Sequence, residues 1–541
     1  MTRALLTLVC LSLALPVLGV LGSWLALDAA ALDTLVHQAQ TVLPRYAAQS
    51  LVLMVGVGVG VIAVGGASAA VIALCDFPGR NVFAWALLLP LAMPAYVLAY
   101  AYTDFLQFSG PLQVALRDWT GWQGALWPDV RSLGGAVVLF ILCLYPYVYL
   151  LTRAALAERG VHLMEAARML GASPRRRVWA IALPLARPAL AAGLALALME
   201  TLADYGVSAY FGLDTFSTGI YKAWMVLNSP AVAAQLASLL LALVATLLWL
   251  ERRAQRRLRF ALSRSGATHT SEARAVRLRG SKALAAVLVC AVPVLLGFVI
   301  PVGVLLAMLA QEATHAEIGL PLARFWQWGL TSFKLAALSA LLAAGFSLLL
   351  AHALRVGAGE RSVLVLAGRV VSLGYAVPGV VIAVGILLPL AALQQVWPQF
   401  PLGAAVTGTV FGLVFAYLSR FSAVALQTLE AGYARVPRSL DDTARTLGAS
   451  RWRIFHELHL PLLRRSALVA ALLVFVDVMK ELPATLLLRP FDSDTLAVVA
   501  FNLARDERLG EAALPALAIV LVGLAPVLLL SRALNREVVK T

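Results

Sequence analysis

The charge-free apolar runs of this chain constrain its fold more than any other feature. Residues 4–27, 46–75, 81–103, 132–152, 223–250, 283–311, 335–354 and 512–531 contain no Asp, Glu, Lys or Arg. Each reaches the roughly 20 residues that a helix needs to cross hydrocarbon. The run 370–419 is long enough for two spans, with a turn at Trp397–Pro401. Two further stretches, 188–213 and 466–488, are apolar but interrupted by charge. A lipid-embedded backbone must satisfy its own N–H and C=O groups, so runs of this length are helices. The expectation is an all-α polytopic membrane protein with about twelve transmembrane helices, six and six. The first run follows Arg3 and could pass for a cleaved leader, but it is long for one. Removing it would also leave the first half a span short, so it reads as a retained helix.

Composition agrees: 61% of residues are hydrophobic and 13% charged, against about 25% charged in soluble proteins. The four cysteines, Cys10, Cys75, Cys143 and Cys290, are scattered through apolar runs without ligand spacing, so neither a disulfide framework nor a zinc site is expected. The net charge of +15 matters here by location. Most Lys and Arg fall in 153–187, 251–282, 420–465 and the two ends. The positive-inside rule then places those segments, and both termini, in the cytoplasm. The basic stretch 251–282 reads as a linker between a first half, 1–250, and a second, 283–541. A solvated anchor accounts for its charge, and no nucleic-acid role is assigned. No G-x-x-x-x-G-K-[ST] sequence occurs, so the chain has no P-loop to hydrolyse ATP and no bound cofactor is expected.

The polar loops carry a duplication. Glu165 to Pro184 reads E-A-A-R-M-L-G-A-S-P-R-R-R-V-W-A-I-A-L-P, and Asp442 to Pro461, 277 residues later, reads D-T-A-R-T-L-G-A-S-R-W-R-I-F-H-E-L-H-L-P. Helix-favouring residues separate the carboxylate from Gly171 or Gly448, and the glycine allows a left-handed turn that ends the helix. Ser173 and Ser450 can then cap a second helix, with Pro174 permitted at its first position. That second helix carries Val178, Trp179, Ile181 and Leu183 in one copy and Ile454, Phe455, Leu458 and Leu460 in the other. The expectation is an apolar face outside the bilayer, suited to a protein cleft. Met93–Ala99 likewise matches Val377–Ala383. The repeat is parallel, and a pore on its pseudo-twofold axis is the natural architecture.

Each loop resembles the E-A-A…G…I-x-L-P loop of ABC importer permeases, which docks into a cleft of the ATPase subunit. The resemblance implies docking roles for Glu165, Ala166, Ala167, Gly171 and Pro184, and for Asp442, Ala444, Gly448 and Pro461. The second copy departs from the pattern at Asp442, Thr443 and Leu458, which leaves equal strength of the two docking sites open.

Charge also lies inside the apolar runs. Glu200 and Asp204 align with Asp477 and Glu481 at the same offset of 277. Spacing i,i+4 would put each pair on one helix face. Intramembrane charge normally faces protein or water. These four carboxylates therefore either line a cation path or pair structurally, with Lys480 neutralising Asp477 or Glu481. Tyr96, Tyr100 and Tyr102 could ligate a hard metal but read better as interfacial belt. His456-Glu-Leu-His459 lacks zinc-protease spacing and reads as loop surface.

Pro90–Asp104, Phe211–Tyr221 and Glu481–Pro490 extend the resemblance over nearly the whole chain, to fused ferric-iron ABC importer permeases. It implies the type I importer fold in a bacterial inner membrane, two ATP-binding subunits in the cytoplasm, a periplasmic binding protein, and no tight metal site in this chain. Thiamine permeases, similar in size and fusion, are the nearest alternative. A proton-coupled secondary transporter would leave the two loops unexplained, and no hydrolase motif is present.

Overall fold

The computed structural model describes residues 2–26, 29–262, 276–315, 320–357 and 363–539. The middle of the basic linker therefore lies outside the described residues. The principal helices are α1 (Thr2–Gly22), α2 (Leu43–Leu74), α3 (Ala95–Leu106), α4 (Leu133–Met169), α5 (Leu183–Ala203), α6 (Pro230–Leu262), α7 (Ser281–Val294), α8 (Ile300–His315), α9 (Leu322–Gly357), α10 (Gly379–Val396), α11 (Val410–Ala434), α12 (Arg438–Thr446), α13 (Leu460–Met479) and α14 (Leu509–Val539). Helices α7 and α8 run on through a π turn at Leu295–Val299. Among the described residues, the strand pairing is one two-residue parallel contact, Cys75–Asp76 with Val276–Arg277. The all-α expectation holds.

Ten helices among the described residues are long and apolar enough to cross a membrane, or eleven if a bent pair counts as one span. That pair replaces the expected single span at 81–103. Arg80–Ala92 and Ala95–Thr120 meet at 92° around Pro94, whose ring and missing N–H favour a kink or break there. Pro378 breaks the chain at the matching place before α10. The remaining expected span corresponds to α13, where Arg464, Arg465 and Asp477 dilute the apolar character. The turn expected at Trp397–Pro401 lies between α10 and α11.

Two compact units are present, and they do not coincide with 1–250 and 283–541. The first comprises Met1–Val42, Gly219–Leu241 and Pro321–Val499; the second comprises Leu43–Thr218, Ala242–Leu320 and Ala500–Thr541. In the first unit α9, α11 and α13 pack on one another, and α1 packs on α10. Gly19 and Gly385 let those last two backbones touch, because a Cβ on either would strike the other helix. Lipid offers no hydrophobic drive between helices, so small residues that admit close contact supply the association.

The second unit repeats this plan. Helices α2, α4 and α5 form its three-helix core, and α8 packs on α3 and α14. Gly65 and Gly193 sit against the backbone of α4 at Tyr145–Tyr149 and Tyr147–Val148. Thus α1, from the amino-terminal half, joins helices of the carboxy-terminal half, and α8 joins helices of the amino-terminal half. Even the caps recur: Ser132 accepts from the Gly135 N–H at the start of α4, and Thr409 from the Phe411 N–H at the start of α11.

Candidate functional site

The two polar loops fold to the same backbone design. In the first, α4 ends where Gly171 takes φ +78°. The N–H groups of Leu170, Gly171 and Ala172 then donate to the carbonyls of Ala166, Arg168 and Ala167 at 3.1, 3.0 and 2.9 Å. In the second, Gly448 takes φ +81°, and Leu447, Gly448 and Ala449 donate to Thr443, Arg445 and Ala444 at 3.1, 2.9 and 3.0 Å. This pattern closes a helix C-terminus with a residue in the left-handed region. Ser173 accepts from the Arg176 N–H and Ser450 from the Arg453 N–H, both at 3.3 Å, as the caps require.

The second helix of each loop has no break before the span. It widens into a π turn, Val178–Ala182 or Ile454–His459, in which Leu183 N–H reaches Val178 and Leu460 N–H reaches Phe455. Pro184 and Pro461 follow at once in the first turn of α5 and α13. A proline has no N–H to offer and crowds the carbonyl four residues back, so the helix widens there and stays continuous.

Apolar groups do face outward, but they are not all the expected ones. Met169, Leu170 and Trp179 are exposed on the first loop, at 90%, 87% and 65%, and Leu447 and Trp452 on the second, at 81% and 63%. Ile454 and Phe455 instead turn inward. Glu165 lies in α4, with its side chain outside the described residues. Asp442 is exposed and lies 3.5 Å from Arg445.

The four intramembrane carboxylates do not share helix faces as pairs. Helix α5 ends at Ala203 and α13 at Met479, so Asp204 and Glu481 fall in the breaks beyond. Asp204 accepts from the N–H groups of Val207 and Ser208 at 2.9 and 3.3 Å. Glu481 accepts from Ala484 N–H and Thr485 N–H, each at 3.0 Å, and from the Thr485 hydroxyl at 2.7 Å. Both carboxylates thus cap the short helix that follows. Glu481 also meets Arg420 of α11 at 3.3 Å, with both side chains buried. At the matching position the first half has Cys143, whose thiol donates to the Met93 carbonyl. Asp477 pairs with Lys480 at 2.9 Å. Glu200 is half-buried near the end of α5.

The tyrosines are not an interfacial belt. Tyr96, Tyr100 and Tyr102 are buried in protein, with Tyr100 edge-on to Tyr210 at 4.8 Å and the Tyr102 hydroxyl donating to the Leu296 carbonyl. Packing against Tyr210 and against the π turn at Leu295–Val299 buries Tyr100 and Tyr102, a tertiary fact with no local signal.

A model of the binding-protein-dependent transport system inner membrane component matches residues 56–260 and again 357–540. The chain belongs to this family. Among its relatives, the Fe(3+)-transport system permease protein FbpB 2 of Haemophilus influenzae is 26% identical over 496 residues, covering 90% of each chain. The molybdenum transport system permease protein ModB of Escherichia coli K12 is 33% identical over 137 residues, or 25% of this chain and 58% of that one. The 2-aminoethylphosphonate permease PhnU of Salmonella choleraesuis, a putative assignment by its own name, is 26% identical over 181 residues, or 33% of this chain and 63% of that one. The protein is thus a multi-pass inner-membrane permease of the ABC importer class, a transport component without its own ATPase.

Sequence reasoning missed a buried polar cluster of this permease. His459, expected on the loop surface, is fully buried. Its Nε2 lies 2.8 Å from Asp441 Oδ1, and its Nδ1 lies 2.9 Å from His352 Nδ1 and 3.3 Å from the Tyr433 hydroxyl. Arg355 of α9 donates through Nε to Asp441 Oδ2 at 2.7 Å, and through its terminal nitrogens to the carbonyls of Tyr433 and Val436 at 2.7 and 2.8 Å. Burial alone would raise the Asp441 carboxyl, but the hydrogen bonds from Arg355 and His459 outweigh it and hold the group below the usual carboxylate range. The buried carboxylate of the second loop is therefore Asp441, one residue before the Asp442 singled out by the repeat. Helical phase was the available signal, since Asp441 faces the bundle and Asp442 the solvent.

Proposed function

We propose that this permease imports ferric iron. In this reading a periplasmic binding protein delivers the ion, and two ATP-binding subunits dock on the loops at 165–184 and 442–461. The observation that carries the cargo is the extent of similarity. The relative aligned over 90% of both chains is a Fe(3+) permease, whereas the molybdenum and 2-aminoethylphosphonate permeases align over a quarter and a third of this chain. The docking assignment is supported by two loops of one backbone design, each with large apolar side chains exposed. The basic residues gathered on the loops and the ends support cytoplasmic loops and termini.

For the ion path, Glu200 is the first candidate. Asp204 and Glu481 are occupied as helix caps and Asp477 is paired with Lys480. An oxygen group of this kind suits a hard cation, and it must hold the ion weakly, because a deep site would stop turnover. The test offers radioactive ferric iron, thiamine and molybdate in parallel to cells carrying the whole system. Iron uptake that needs both the binding protein and the ATPase is expected. Thiamine or molybdate uptake without iron would refute the cargo, and iron uptake without the ATPase would refute the docking assignment.

A further inference from the structure

The two loops share a backbone but not an anchor. At an offset of 277, His459 corresponds to Ala182 and Tyr433 to Leu156. In the first loop, Leu156 and Ala182 belong to an apolar cluster with Ala73, Leu74 and Ala186. In the second, the same places hold a continuous polar chain from α9 to the π turn. We propose that this chain positions the second loop against α9, so that the second loop is held rigidly, whereas at the corresponding described residues the first is held by apolar packing. The consequence for transport rests on the ATPase-docking reading above; the difference in rigidity does not.

The chemistry allows a self-consistent proton arrangement. An ionised Asp441 only accepts, so His459 must carry its hydrogen on Nε2. A neutral His459 then presents a lone pair at Nδ1, and His352 must donate its own Nδ1 hydrogen across 2.9 Å. Each bond dictates the next: Arg355 orients Asp441, Asp441 fixes the tautomer of His459, and His459 fixes that of His352. Arg355 also clamps the α11–α12 turn through the carbonyls of Tyr433 and Val436. Buried chains of this kind confine a segment to one arrangement, whereas small apolar side chains allow sliding. Arg177, the counterpart of Ile454, is buried with its Nε unpartnered, so no equivalent chain forms in the first loop through that residue.

Because both loops make the same turn hydrogen bonds, a difference in their amide exchange reports the anchor. In the intact wild-type permease in nanodiscs, residues 443–454 should exchange at least tenfold more slowly than 166–177. Equal or faster exchange at 443–454 would overturn the proposal. His352→Leu should remove that excess protection at 443–454 and leave 166–177 unchanged. His352→Gln, which retains an N–H donor for His459, should restore most of it. With the binding protein and ATPase added, iron carried per ATP should fall several-fold in His352→Leu and recover in His352→Gln. Two folded variants that behave alike in exchange would also sink the idea.

Discussion

Glycine at the loop turns offers the sharpest test of the docking assignment. Gly171 and Gly448 hold φ +78° and +81°, and a Cβ added at either meets nothing within 4 Å. Substitution there creates no clash, so the whole penalty is the backbone cost of left-handed geometry, about 1–2 kcal/mol for an ordinary L-residue. That energy corresponds to a factor of roughly 5–30 in the ratio of correct to incorrect turn, which sets the upper limit of the effect on uptake. Gly448→Ala should therefore reduce ATP-driven uptake by up to that factor, while insertion and yield stay near wild type. Gly448→Asn should recover most of the loss, since asparagine tolerates this region. Uptake into proteoliposomes and retention of the ATPase subunits on affinity-purified permease give the two readouts. Wild-type uptake in the alanine variant, or an asparagine variant no better than alanine, would refute the reasoning.

Other expectations are equally direct. Asp441→Asn would leave Arg355 buried without its carboxylate, a loss of about 3–5 kcal/mol, visible as reduced thermal stability in detergent; an unchanged melting temperature would mean that the pair is not formed. Because the folded Asp441 pKa is depressed, its stabilisation is present above the ordinary carboxylate range and is lost as pH falls through the folded value, so acid destabilisation should be shallower in Asp441→Asn. Glu481→Ala should lower folded yield, by removing both the carboxylate that pairs with buried Arg420 and the cap on the following helix, whereas Glu200→Gln should fold normally and slow iron entry; normal entry would remove Glu200 from the path. For topology, a cysteine at Trp119, which is 84% exposed, should react with an impermeant thiol reagent added outside, while one at Ser281 should not; the opposite pattern would invert the orientation. Gln113 would be a poor probe, because it is buried and donates to the Leu106 carbonyl.

Much was legible because the information is local. Apolar run length identifies a membrane helix, since lipid cannot satisfy a backbone that fails to satisfy itself. A duplicated Gly-Ala-Ser turn identifies a loop, since few residues accept φ near +80°. Those two rules gave the helical class, the repeat and the turns at Gly171 and Gly448 with their serine caps.

What the sequence could not decide depends on which helices meet. Nothing near α1 says that it packs on α10, or near α8 that it packs on α3, yet those two contacts make each compact unit a composite of both halves. The same holds for Tyr100, which reads as a belt residue until tertiary packing buries it, and for Glu481, which meets Arg420 of α11; its cap, like that of Asp204, is by contrast a local contact with backbone three and four residues on. At the second loop, sequence alignment favoured Asp442, but only the approach of α9 brings Arg355 and His352 to Asp441 and His459. A buried polar group is defined by its partners, and these partners lie up to 107 residues apart, so the folded packing alone could join them.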